Sequence, residues 1–156
     1  MGRPARLAHL ARRFFGSLRR GGPADEPWAL EQLLPGERAL WARMSDPDRR
    51  HAVDVARRLG PDRPRAVLAA ALLHDVGKVE SGLGTFGRVW ATVLGRRTGS
   101  GRVGAYLRHD EIGARLLAAA GSDPLTVAWA REHHLPSARW TVPYDVGVAL
   151  KAADDD

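Results

Sequence analysis

Apolar positions along the chain recur at helical spacing, in short segments punctuated by Pro and Gly. The segment "DPDRRHAVDVARRLG" opens with Asp46 as the predicted N-cap and Pro47 at the first helical position, and closes at Gly60. "DRPRAVLAAALLHDVG" repeats the device, with Asp62 available for capping, Pro64 in the first turn and Gly77 at the end. "DPLTVAWAREHH" does so a third time, from Asp123 and Pro124. Between these, "SGRVGAYLRHDEIGARLLAAAG" predicts a helix from about Ser100 to Ala120, and "PYDVGVALKAADDD" predicts a last one from near Pro143. No run alternates with β-branched residues and hairpin turns, so the predicted fold class is all-α, a compact helical bundle.

Two stretches depart from this rhythm. At the N-terminus, "RLAHLARRFFGSLRR" sets Leu7, Leu10, Phe14, Phe15 and Leu18 at helical spacing, with arginines mostly between them. Such a basic amphipathic arm, residues 1–22, either packs on the domain or meets an anionic membrane surface or an acidic partner. A linker, "GGPADEP", follows it, so the division reads as arm 1–22, linker 23–35 and helical domain 36–156. The second departure, from Ser81 to Gly101, holds six of the 17 glycines around Phe86 and Trp90. It reads as a surface connection, or as a flap beside a site.

Composition sharpens the picture in two places. The formal charge of +6 comes entirely from the arm, whose Arg3, Arg6, Arg12, Arg13, Arg19 and Arg20 face no acid. The rest of the chain is neutral, so the domain itself carries no strong nucleic-acid signal. There is no cysteine among the 156 residues, which removes disulfides and thiolate metal sites and makes a reducing cytoplasm the expected compartment, membrane-peripheral if the arm binds lipid. The stretches without charge are too short to span a bilayer.

The most apolar segment breaks its own pattern. In "AALLHDVGK", Ala70 to Lys78, a run that reads as a buried helix ends in His74, Asp75 and Lys78. Five of the six histidines lie in the helical domain: His51, His74, His109, His133 and His134. Adjacent residues on a helix point about 100° apart, but at a helix end both members of His74-Asp75 can turn toward one cation. Imidazole and carboxylate are the ligands divalent metals accept when thiolate is absent. His51 on the preceding helix and the Asp154–Asp156 cluster on the last could complete such a set inside a bundle.

In this order the segments "RRHAVDVARRL", "ALLHDVGK", "RHDEIGARLLAAAG", "WAREHHLP" and "ALKAADDD" resemble the HD-domain superfamily of metal-dependent phosphohydrolases, from about Leu40 to Asp154. The resemblance implies the HD-type helical fold and one or two divalent ions, of Mn, Fe, Mg or Zn. It also implies that His51, His74, Asp75 and Asp154 hold one ion, with Asp155 replacing Asp154 if the last helix turns differently. With Asp75 bridging, His109, His133 and His134 would hold the second. Superfamily members with a third ion carry Glu one turn before the first histidine; that position is Pro47 here, so two ions are the expected maximum.

Paired ions clamp a phosphoryl group and generate a hydroxide, so the implied activity is hydrolysis of a phosphomonoester or phosphodiester in a small, nucleotide-like substrate. Asp75 and Lys78 are the implied catalytic groups. Lys78 either steadies charge on a nonbridging oxygen or simply complements the helix dipole. Arg131 and Arg139 flank the double histidine and are candidate phosphate contacts. The branch that hydrolyses cyclic diguanylate carries Gly-Tyr-Pro after the histidines, where this chain has "HHLPSARW". Two other functions share the ligand pattern: a di-iron oxygenase resembling inositol oxygenase, and a nucleotide-sensing module with a degenerate site.

Overall fold

The computed structural model describes residues 25–80 and 101–155. The basic arm and nearly all of the glycine-rich stretch lie outside them. Among the described residues there are seven α-helices and no strand, as the all-α reading expects. They are α1 (Glu26–Glu31), α2 (Pro35–Trp41), α3 (Asp46–Leu59), α4 (Arg65–Leu73), α5 (Gly101–Ala119), α6 (Pro124–Glu132) and α7 (Tyr144–Asp155). Short 3-10 turns follow α4 (Val76–Glu80) and α6 (Ser137–Arg139).

Helix α4 is the axis of the fold. Every residue from Val67 to Leu73 is buried, so an all-round apolar sequence is satisfied by neighbours on every side. Helices α3, α6 and α7 pack around it, and α5 packs on α6 and on the turn after α4. Trp41, Trp129, Leu117 and Leu150 fill the spaces between them. Polar ties fix the register: Thr126 Oγ1 donates to the Ala66 carbonyl at 3.1 Å, and Arg65 pairs with Asp123 and, at 3.3 Å, with Glu37.

The capping details differ from the sequence reading. Ser45, not Asp46, caps α3, because its hydroxyl accepts the Asp48 amide at 3.4 Å; Pro47 remains in the first turn. Pro64 is the N-cap of α4, without a side-chain bond from Asp62, and the helix stops at Leu73 rather than running to Gly77. Gly60 closes α3 at φ +90°, where a side chain would be strained. Within 23–35, read above as linker, α1 forms, and Ala29 and Leu33 are buried in the common core.

Candidate metal centre

Two helix ends build the centre. His74 is the C-cap of α4 and His133 the C-cap of α6. The last carbonyls of a helix lack amide partners, and each imidazole supplies one. Nδ1 of His74 donates to the Ala71 carbonyl at 2.8 Å; Nδ1 of His133 donates to those of Ala130 and Trp129 at 3.1 and 3.2 Å. Spending Nδ1–H on the backbone fixes the tautomer and leaves Nε2 of each ring as a lone pair facing the interior.

Glycine permits the next element to close in. A Cβ on Gly77 would lie 1.9 Å from the His109 carbonyl oxygen and 2.9 Å from the Gly113 amide nitrogen. Only a residue without a side chain lets this turn rest on the α5 backbone, so the His109-Asp110 pair arrives beside His74-Asp75.

One group of side chains gathers around His74. His51 Nε2, from α3, is 3.0 Å from Asp154 Oδ1, in the last turn of α7. His74 Nε2 lies 3.5 Å from the same oxygen and 3.6 Å from Asp75 Oδ2. A second group consists of Asp110, His133 and His134. His134 Nδ1 sits 3.1 and 3.0 Å from the two Asp110 oxygens. His133 Nε2 is 3.8 Å from Asp110 Oδ1 and 3.8 Å from Asp75 Oδ1. Asp75 therefore joins the groups, with Oδ2 toward His74 and Lys78 and Oδ1 toward His133.

The charges are set by burial and by each other. Burial opposes the charge of Asp75, but the Lys78 ammonium and the His74 and His133 imidazoles outweigh it and hold the carboxyl well below its usual range. Asp154 behaves likewise through His51 and His74. His74 is raised despite its burial, because Asp75 and Asp154 favour its charged form. His133 is lowered, chiefly by burial, with His74 and His134 reinforcing it against Asp75.

These residues fit a divalent cation. Nε2 of His133 is buried and, among the described residues, has no hydrogen-bond partner, since 3.8 Å to either carboxylate is beyond hydrogen-bond reach. His51, His74 and Asp75 each offer a donor atom within 4.8 Å of the others, as do Asp110, His133 and His134. Donors about 2.1 Å from one ion lie about 3.0 Å apart at a right angle and about 3.4 Å apart at a tetrahedral one, near the separations seen. Imidazole with carboxylate and no thiolate is a donor set for Mn, Fe, Mg or Zn.

Of the residues picked from the sequence, His51, His74, Asp75, His133, His134 and Asp154 converge. Asp155 instead pairs with Lys151 at 3.2 Å on the outer face, so Asp154 is the one that turns inward. Lys78 Nζ pairs with Asp75 Oδ2. Among the described residues His109 belongs to neither group, and its buried Nδ1 has no hydrogen-bond partner. Arg131 is exposed and pairs with Glu111 at 3.0 Å, and Arg139 is exposed in its turn; neither enters the two groups. Asp110 was missed. The signal was present in "RHDEIG", a second His-Asp adjacency like that of "LLHDVG".

The profile of the HD domain family matches residues 50–155, and the chain belongs to that family. Its members are generally metal-dependent hydrolases that bind divalent cations. No curated protein and no solved structure matches the chain.

Proposed function

We propose that the chain is a metal-dependent phosphohydrolase, in which His51, His74, Asp75 and Asp154 hold one divalent cation. Asp75, His133 and His134 contribute to a second. The observation that carries this reading is the buried, unpartnered Nε2 of His133 facing Asp75 Oδ1. A buried polar atom left unsatisfied costs about 1–3 kcal/mol, a cost that a cation at this point removes.

Once bound, the cations would polarise a phosphoryl oxygen and lower the pKa of a water that attacks phosphorus. The chain's own groups prepare that site. Asp75 remains ionised and divides its two oxygens between the groups. His74 and His133 present Nε2 because their Nδ1 protons are committed to carbonyls. Lys78 keeps an ammonium beside Asp75, where it can also meet phosphate charge. The His134 side chain is 33% exposed, against 1% for His133, so the second group forms the solvent side by which a phosphate ester enters.

Reconstitution with Mn²⁺, metal analysis and a panel of phosphomonoesters and phosphodiesters, nucleotides included, tests this reading. The expected result is bound metal and turnover of at least one ester, lost in His74→Ala and Asp75→Asn. A protein that holds less than about one equivalent of metal, or variants that turn over as fast as the parent, would refute it. Oxygen consumption without ester hydrolysis would instead select the oxygenase reading.

A further inference from the structure

We infer that Asp110 is a carboxylate ligand of the second cation site, in the place that the family resemblance gives to His109. The inference rests on the two-cation reading above and assigns a residue that reading leaves open.

Asp110 is 4% exposed, and among the described residues its partners are imidazoles: His134 Nδ1 at 3.0 Å and, more distantly, His133 Nε2 at 3.8 Å. A carboxylate removed from water with no cation beside it is unfavourable by several kcal/mol, on the order of the penalties for unpaired buried ions. The Asp110 carboxylate, met by His134 but by no cationic side chain among the described residues, thus faces the bare Nε2 of His133. One cation between them satisfies both. His134 then has a double use, because its Nδ1 lies against both Asp110 oxygens and steadies the carboxylate from the solvent side.

The backbone explains why Asp110 is chosen over its neighbour. The close approach at Gly77 falls on the His109 carbonyl, which fixes the rotation of α5 about its axis. Successive helical residues diverge by about 100°, so His109 and Asp110 cannot both turn toward the end of α6. The α5 side chain that reaches His133 and His134 is that of Asp110.

Replacing an imidazole by a carboxylate also changes which ion the site prefers. With Asp75 and Asp110 both contributing oxygen, the second site is harder and more negative than one with His109 in place of Asp110. It therefore suits Mn²⁺ or Fe²⁺ better than a softer ion.

The test is Mn²⁺ binding, read by metal analysis and by EPR, on the parent, Asp110→Asn and His109→Gln, with circular dichroism confirming the fold. The parent is expected to hold about two equivalents with an exchange-coupled spectrum. Asp110→Asn should keep about one, with the spectrum of an isolated ion, while His109→Gln keeps both. Asp110→Ser replaces the amide variant if that one does not fold. Retention of both ions and of the coupled spectrum by the Asp110 variants overturns the inference and leaves the two-cation reading standing. A parent that binds no Mn²⁺ overturns that reading itself.

Discussion

Arg58 Nη1, on α3, donates a hydrogen bond to the carbonyl of Ala153, 3.0 Å away in the last turn of α7. That carbonyl is among the four at the helix end that have no amide partner within the helix. The next residue is Asp154, whose carboxylate is met by His51, two turns earlier on the same α3. One helix therefore grips the end of another twice, once by its backbone and once by the Asp154 carboxylate. Arg58→Met should cost only about 0.5–1.5 kcal/mol of stability, the value of one hydrogen bond. It should weaken binding of the first cation roughly 10-fold, as loss of an orienting partner does. Calorimetric titration with Mn²⁺ checks this, and an unchanged affinity would show that Asp154 is placed without Arg58.

The contact of Gly77 with α5 makes a sharper prediction. A methyl group there meets backbone, which cannot rotate away as a side chain would. Gly77→Ala should therefore cost about 3 kcal/mol or more, at or above the upper end for an overpacked core site. Because relief requires α5 to move off the turn, the variant should also lose the second cation before the first. Urea unfolding and metal titration measure the two effects. A loss below about 1 kcal/mol would mean that the turn and α5 are not in this contact.

The same contact shows what could be read in advance. Helices α3, α6 and α7 were legible because Pro and Gly punctuate them and their apolar residues recur at helical spacing. The clustering of His51, His74-Asp75, His133-His134 and Asp154 was legible as adjacency and order. What escaped depends on how elements meet. Nothing local tells which of His109 and Asp110 lies against His133 and His134, since that depends on how α5 rests on Gly77. Arg131 looked available beside two histidines, yet Glu111 on the neighbouring helix takes it. The turn formers and acids of "GGPADEP" make 23–35 read as linker, but burial of Ala29 and Leu33 against distant helices orders that stretch. Asp155 remained an alternative to Asp154 because the sequence does not give the rotation of the last helix; in the fold Asp155 pairs with Lys151, one turn before it, on the outer face.

The basic arm gives a prediction that depends only on sequence. Its apolar positions and six arginines suit an anionic surface, and they account for the whole excess charge. Deleting residues 1–22 should abolish co-sedimentation with phosphatidylserine vesicles and leave ester hydrolysis unchanged. Equal sedimentation of both forms would remove the membrane assignment.

The clustered acids and imidazoles also fix how the metal-free protein responds to pH. A carboxyl with a depressed folded value stabilises the fold fully above its unfolded value, 3.8 for Asp75 and Asp154, and loses that contribution as pH falls through the folded value. The two histidines act nearer neutrality and in opposite directions. His74, raised, stabilises below 6.5 and loses its contribution as pH rises through its folded value. His133, lowered, stays neutral when the unfolded chain would take a proton, so it disfavours the fold as pH falls below 6.5. Stability measured by urea unfolding in chelator should therefore be greatest near pH 6.5, decline on either side of it, and fall further on acidification below about pH 4. Asp154→Asn should make that acid limb shallower, and His133→Gln should remove the decline just below pH 6.5 while leaving the rise, due to His74, as pH is lowered toward 6.5. An acid limb as steep in Asp154→Asn as in the parent would place the responsible carboxylates elsewhere in the chain.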